Sequence, residues 1–149
     1  MNRKNIAIIL LSCIAIFTSC LKEETEPGTN ARDVVLQTER LSKTWSIDQA
    51  VYDGVLVIDL IPDLELTFNE NNTWVAQNGA SVFENQGTWQ FAPNDLNTII
   101  MDGVEVQLFF TVESTQLRLK FQLNNEAIGS ARMNGLTGEY IIDFSIKEL

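Results

Sequence analysis

The side chains in this chain that could do chemistry are 20 carboxylates and two thiols; histidine is absent. Its absence removes the commonest metal ligand and the side chain most used for proton transfer near neutral pH. Zinc sites, Ser-His-Asp triads and Cys-His dyads are therefore excluded by inventory. Carboxylate chemistry is what remains. Asp59/Asp63 and Asp102/Glu105 are pairs that a glycosidase could use as acid and nucleophile. Spacing alone carries no such geometry, and a chain this acidic places solvated acids in its turns in any case. No D-x-D-x-D-G run supplies the ordered oxygens of a calcium loop. The expectation is a protein with no catalytic residue, metal or cofactor, and not an enzyme.

The thiols lead elsewhere. A short basic start, Arg3 and Lys4, precedes an apolar run over residues 6–17 that contains Cys13. About a dozen residues span roughly 18 Å as a helix, too short for a hydrocarbon core of about 30 Å. The layout is that of a secretory signal peptide over residues 1–19. Phe17-Thr18-Ser19-Cys20 resembles the lipobox of bacterial lipoproteins, whose cysteine is acylated and begins the mature chain. Leu21-Lys22-Glu23-Glu24 in turn resembles the C-x-K-[D/E]-[D/E] signal of Bacteroidota-type surface lipoproteins; its plainer reading is a hydrated tether. Together these resemblances imply an outer-membrane lipoprotein, anchored by acyl chains such as palmitate on Cys20 and facing the cell exterior. Each buried methylene contributes about 0.8 kcal/mol, and more than one chain makes attachment stable. Cys13 leaves with the signal, so no thiol remains for a disulfide or a nucleophile.

Removal of residues 1–19 leaves 130 of the 149 residues, the size of one domain. The 20 acids then face 8 basic residues (10 less Arg3 and Lys4), a balance of −12. Such acidity argues against nucleic acid and anionic lipid head groups as partners, since both need basic patches. It suits a domain held outside a cell, where self-repulsion discourages aggregation.

Along the chain, residues 20–30 are polar and broken by Pro27-Gly28, which reads as acylated cysteine plus flexible tether. Asn30 is placed as a helix N-cap with Asp33 at N3, and Val34, Val35, Thr38 and Leu41 as the apolar stripe of a three-turn helix. From Trp45 the apolar period changes to two. Leu64, Leu66 and Phe68 alternate with polar residues; Val104, Val106, Leu108, Phe110 and Val112 alternate with Glu105, Gln107, Phe109 and Thr111. Leu117, Leu119, Phe121 and Leu123 alternate with Gln116, Arg118, Lys120 and Gln122, and Tyr140, Ile142, Phe144 and Ile146 follow the same rule. These are strands with one face buried, as in antiparallel sheets. Asp102-Gly103 is a strong type I′ hairpin signal, and Asn69 to Asn72, Asn78-Gly79, Pro93-Asn94-Asp95 and Asn124-Asn125 supply further turns. About eight short strands imply an all-β meander that closes as a barrel or packs as a sandwich. Residues 55–61 are apolar on both faces between Asp53-Gly54 and Pro62. They read either as a strand buried on both sides, covered by the helix, or as an exposed flap (Val55, Leu56, Val57, Ile58) where a ligand or partner lands.

The local patterns carry a second resemblance. Leu41-Ser42-Lys43-Thr44-Trp45, then Leu66-Thr67-Phe68-Asn69-Glu70-Asn71-Asn72-Thr73-Trp74, then Gly87-Thr88-Trp89-Gln90-Phe91 resemble the bacterial lipocalin-like lipoprotein family. That family has a leading helix, an L-x-G-T-W strand, an L-T-F-x-x-[DN]-G-T-[WY] hairpin and a G-T-W-x-[FY] strand. Lys43 and Asn72 stand where it has glycines. The resemblance implies a lipocalin-like barrel of about eight strands over residues 31–149, preceded by a short helix. It also implies an arginine, Arg118 or Arg132, packed over Trp45. Fold transfers in this way better than ligand.

Trp45, Trp74 and Trp89 each follow a threonine, and large aromatics at inward positions are first of all core. An eight-stranded barrel is just wide enough to fill itself or to hold one small ligand. The leading expectation is a small apolar or amphipathic ligand at the barrel mouth, met by Trp74, Trp89, Phe91, Leu108, Phe110 and Phe121. The rival is a filled barrel acting as an interaction module that docks a surface protein or a polysaccharide; a third reading is an enzyme inhibitor. Arg118 and Lys120 are expected to pair across the outer face with Glu105 or Gln107.

Overall fold

A computed structural model of the chain describes residues 30–79, 82–124, 128 and 137–147. The expected signal peptide, Cys20 and the rest of the tether before Asn30 lie outside these residues, as do Asn125 and Arg132. One helix, α1 (Ala31–Leu41), precedes nine strands: β1 (Thr44–Tyr52), β2 (Val55–Leu56), β3 (Glu65–Phe68), β4 (Thr73–Gln77), β5 (Gln86–Ala92), β6 (Asp95–Met101), β7 (Val104–Phe110), β8 (Gln116–Leu123) and β9 (Gly138–Ile146). From β3 to β9 each strand pairs antiparallel with the next, and β1 pairs with both β3 and β9. The β1–β9 register runs from Trp45 opposite Ile146 to Tyr52 opposite Tyr140 and closes eight strands into a barrel. Closure removes the unpaired edges of an open sheet.

Period-two alternation sets the wall. In β8, Leu117, Leu119, Phe121 and Leu123 are buried, while Gln116, Arg118 and Gln122 are exposed and Lys120 half-exposed. Two turns take the mirror-image form expected of Asp-Gly: Asp102 and Gly103 have φ of 46° and 93°, and Asp53 and Gly54 have 44° and 81°. Asn72, at a position where the family pattern has glycine, takes φ 65°, a left-handed conformation that asparagine tolerates.

The helix starts as its sequence implies, with the Asn30 side chain accepting from Asp33 N–H at 3.0 Å. Its buried face differs from the expected stripe. Val34, Gln37, Thr38 and Leu41 share the inner side, at spacings of three and four residues, and Val35 is 55% exposed. Polar Gln37 takes a core-facing position because its Nε2 donates to Leu96 O at 3.1 Å. Arg40 reaches the β7–β8 loop, donating to Ser114 Oγ at 2.8 Å, so α1 closes that end of the barrel.

At the opposite end, Val82 and Phe83 are buried, and Phe83 bridges to Ile128. The segment 55–61 also lies at this end, away from α1. Val55 and Leu56 pair with β1 and are 63% and 66% exposed, residues Ile58–Leu60 form a single 3₁₀ turn, and Ile61 is fully buried. This corrects the expectation of a doubly buried strand covered by the helix. Two strands share one edge of β1: β3 pairs at residues 44–46 and β2 at 51–52, so the chain must leave one register for the other.

Candidate functional site

The inward residues come together inside the barrel. Trp74, Trp89, Leu108 and Phe121 are at most 3% exposed, and Phe91 and Phe110 are half-buried. Their rings engage one another: Trp74–Phe83 centroids lie 6.1 Å apart, Phe83–Phe121 5.7 Å, and Phe121 stacks on Tyr140 at 5.4 Å. Trp89 meets Phe68 edge-on at 6.0 Å and Phe91 at 5.3 Å. The polar handles of the three tryptophans are also taken by the protein. Trp45 Nε1 donates to Leu41 O (2.9 Å), Trp74 Nε1 to Asp102 Oδ2 (2.9 Å) and Trp89 Nε1 to Thr73 O (3.1 Å). Buried indoles usually satisfy this donor, and here each does so within the fold.

Asp102 has a structural task. It accepts from Trp74 Nε1, from Thr88 N–H and from Thr88 Oγ1 (2.9 Å to Oδ1), so its oxygens tie the β6–β7 turn to β4 and β5. Asp59 and Asp63, the other acid pair, are exposed at the far end of the barrel. Among the described residues no three metal-capable side chains gather.

Arg118 lies on the outer wall rather than over Trp45, which corrects one of the two arginine placements the resemblance implied. The cation near the Trp45 ring is Lys43, its Nζ 5.9 Å from the centroid, while the Arg40 guanidinium lies 4.7 Å over Phe110. Arg118 and Lys120 do pair across the wall, but with β9 and not β7: Arg118 Nε meets Asp143 Oδ1 at 2.6 Å, and Lys120 meets Glu139 at 2.7 Å. For Arg118 the reason is charge, since β9 sets Asp143 directly opposite it where β7 sets Phe109; Lys120 has a carboxylate diagonally across on each side, Glu105 on β7 and Glu139 on β9, and pairs with Glu139. The hydrogen bond to Asp143 and then its charge hold the Arg118 pKa above its ordinary value.

Those outward side chains border an open groove of about 620 Å³ on the β7–β8–β9–β1 wall. Its apolar elements include Phe109, 51% exposed, and the half-buried Ile141. Its polar elements include Arg118, Asp143, Gln116, Gln49 and Asp48. A bulge between Ile47 and Gln49 turns both Asp48 and Gln49 outward, and Ser145 Oγ donates to Asp48 Oδ1 at 2.8 Å.

No protein-family model, curated protein or solved structure matches this chain. Its functional reading therefore rests on the geometry above. Sequence reasoning passed over Phe109 because it stands in the polar half of an alternating strand. The signal was legible: an aromatic residue at an outward position, between Gln107 and Thr111.

Proposed function

We propose that this chain is a lipid-anchored, non-catalytic binding module: a lipocalin-like barrel tethered through acylated Cys20 to the outer membrane, facing the exterior, and recognising its target with the outside of its wall. The observation that supports this reading is the filled interior. The inward aromatics pack on one another and spend their indole donors on the protein, while the exposed aromatic and the ligand-sized groove lie outside. Between the two expected occupants, a small apolar molecule within the barrel and a partner outside it, this packing favours the second.

Two experiments test the proposal. Cells fed labelled palmitate should incorporate it into the wild-type chain and not into Cys20→Ser; label retained in the variant removes the anchor. Native and denaturing mass spectrometry of the full chain should give the same protein mass apart from bound detergent. A small apolar molecule released only on denaturation would restore the ligand-in-the-barrel reading.

A further inference from the structure

The groove on the outer wall is built along one transverse line. Phe109 on β7 pairs with Arg118 on β8, Arg118 with Asp143 on β9, and Asp143 with Gln49 on β1. Three strand spacings of about 4.8 Å make this row roughly 14 Å long. We infer that the row is a binding site for a neutral, pyranose-based oligosaccharide, an inference that rests on the exterior-facing module proposed above.

Three features define that ligand. Phe109 is the aromatic ring left most open to solvent among the described residues, at 51%, and an open ring face suits the C–H face of a sugar. Beside it, Arg118 and Asp143 are locked in a two-pronged contact, Nε to Oδ1 at 2.6 Å and an Nη to Oδ2 at 2.9 Å. The Arg118 side chain remains 54% exposed and lines the groove, which leaves its other N–H groups open to a ligand as a planar fork. Paired hydroxyls on adjacent ring carbons match such a fork, and the pairing has already removed the rotamer freedom that binding would otherwise cost. Gln49 and Gln116 add amides that donate and accept, as hydroxyls do.

Charge and size exclude the rivals. Arg118–Asp143 and Lys120–Glu139 cancel within the wall, on a mature chain carrying −12, so nothing there recruits an anionic sugar. A space of about 620 Å³ is that of a small-molecule cleft. A purely apolar ligand would leave the fork and amides buried without partners.

The test is affinity electrophoresis of the full chain in a detergent without a sugar head group. Native gels would contain a neutral α-glucan, a β-glucan, a mannan or a xylan. At least one should retard the wild type. Phe109→Ala and Arg118→Met should each weaken that retardation about tenfold or more, while Val75→Ala, on β4, should not change it. Unchanged tryptophan emission shows that each variant is folded. Absence of retardation by all four glycans, or full retardation of Phe109→Ala, overturns the site. Binding that survives Phe109→Ala but is lost in Leu56→Asp overturns the groove and leaves the exterior module standing. A small molecule released from the barrel on denaturation overturns both.

Discussion

The Asp102 carboxylate, in the turn between β6 and β7, accepts a hydrogen bond at 2.9 Å from the indole N–H of Trp74, two strands away. The strand between them contributes Gly87, and the bond needs that residue to be glycine. A Cβ at Gly87 would collide with Asp102 Oδ2 and stand 2.7 Å from Trp74 Nε1. The glycine of the Gly87-Thr88-Trp89 motif is thus a space through which one side chain reaches another.

Asp102→Ala should therefore leave a buried indole donor unpaired and free Thr88, destabilising the fold by about 1–3 kcal/mol. Gly87→Ala should cost at least as much, because it displaces both partners of the same bond. Urea unfolding followed by tryptophan emission measures both. Equal midpoints for wild type and Asp102→Ala would show that the bond is not structural.

Core and hairpin should respond in opposite ways. Trp89→Ala, at a position 2% exposed, should lose about 3–5 kcal/mol by cavity formation. Leu56→Asp, at 66% exposure, should change stability by no more than about 0.5 kcal/mol. Thermal melts of the two variants decide this, and a large loss in Leu56→Asp would mean that the β1–β2 hairpin is buried in solution.

The chain has two tyrosines, so absorbance at 295 nm reports Tyr52 and Tyr140 alone. Desolvation, then the Asp53 charge, raises Tyr52 above its ordinary 10.0; desolvation, then the charges of Tyr52 and Asp53, raises Tyr140. The rings lie 5.0 Å apart. Both phenols should titrate above 10. Each is raised on folding, so its contribution is full below pH 10 and lost as pH climbs through the folded value. A midpoint at or below 10 in the folded protein would contradict this.

Asp95 should act on the acid side with the opposite sign. A bond from the Thr98 side chain and then the Asn97 N–H at 2.8 Å hold its pKa below 3.8. Its stabilisation is present above that value and fades as pH falls through the lower, folded one. The exposed site makes the effect small. Asp95→Asn should flatten the acid limb of a stability–pH curve slightly; an unchanged limb would show the turn to be indifferent to this charge.

Much of the barrel was legible in the residues themselves. The Asn30 cap, the Asp102-Gly103 turn and the alternation of Leu117 to Leu123 each follow from local chemistry: a side chain within reach of its own backbone, a residue pair tolerating positive φ, a period matching the pleat. Composition alone also removed histidine chemistry, and no cysteine falls among the described residues.

What tertiary structure decided was pairing between distant segments. Gln37 entered the core because Leu96 O was there to accept its amide, and Arg118 chose Asp143 because the β8–β9 register set that carboxylate directly opposite it. Residues 55–61 keep only the two-residue strand β2, because β3 holds the other part of the same β1 edge. The groove around Phe109 exists only because register puts that ring, Arg118, Asp143 and Gln49 in one row. Period and turn chemistry are properties of neighbours in sequence, whereas a row across four strands depends on how the whole sheet closes.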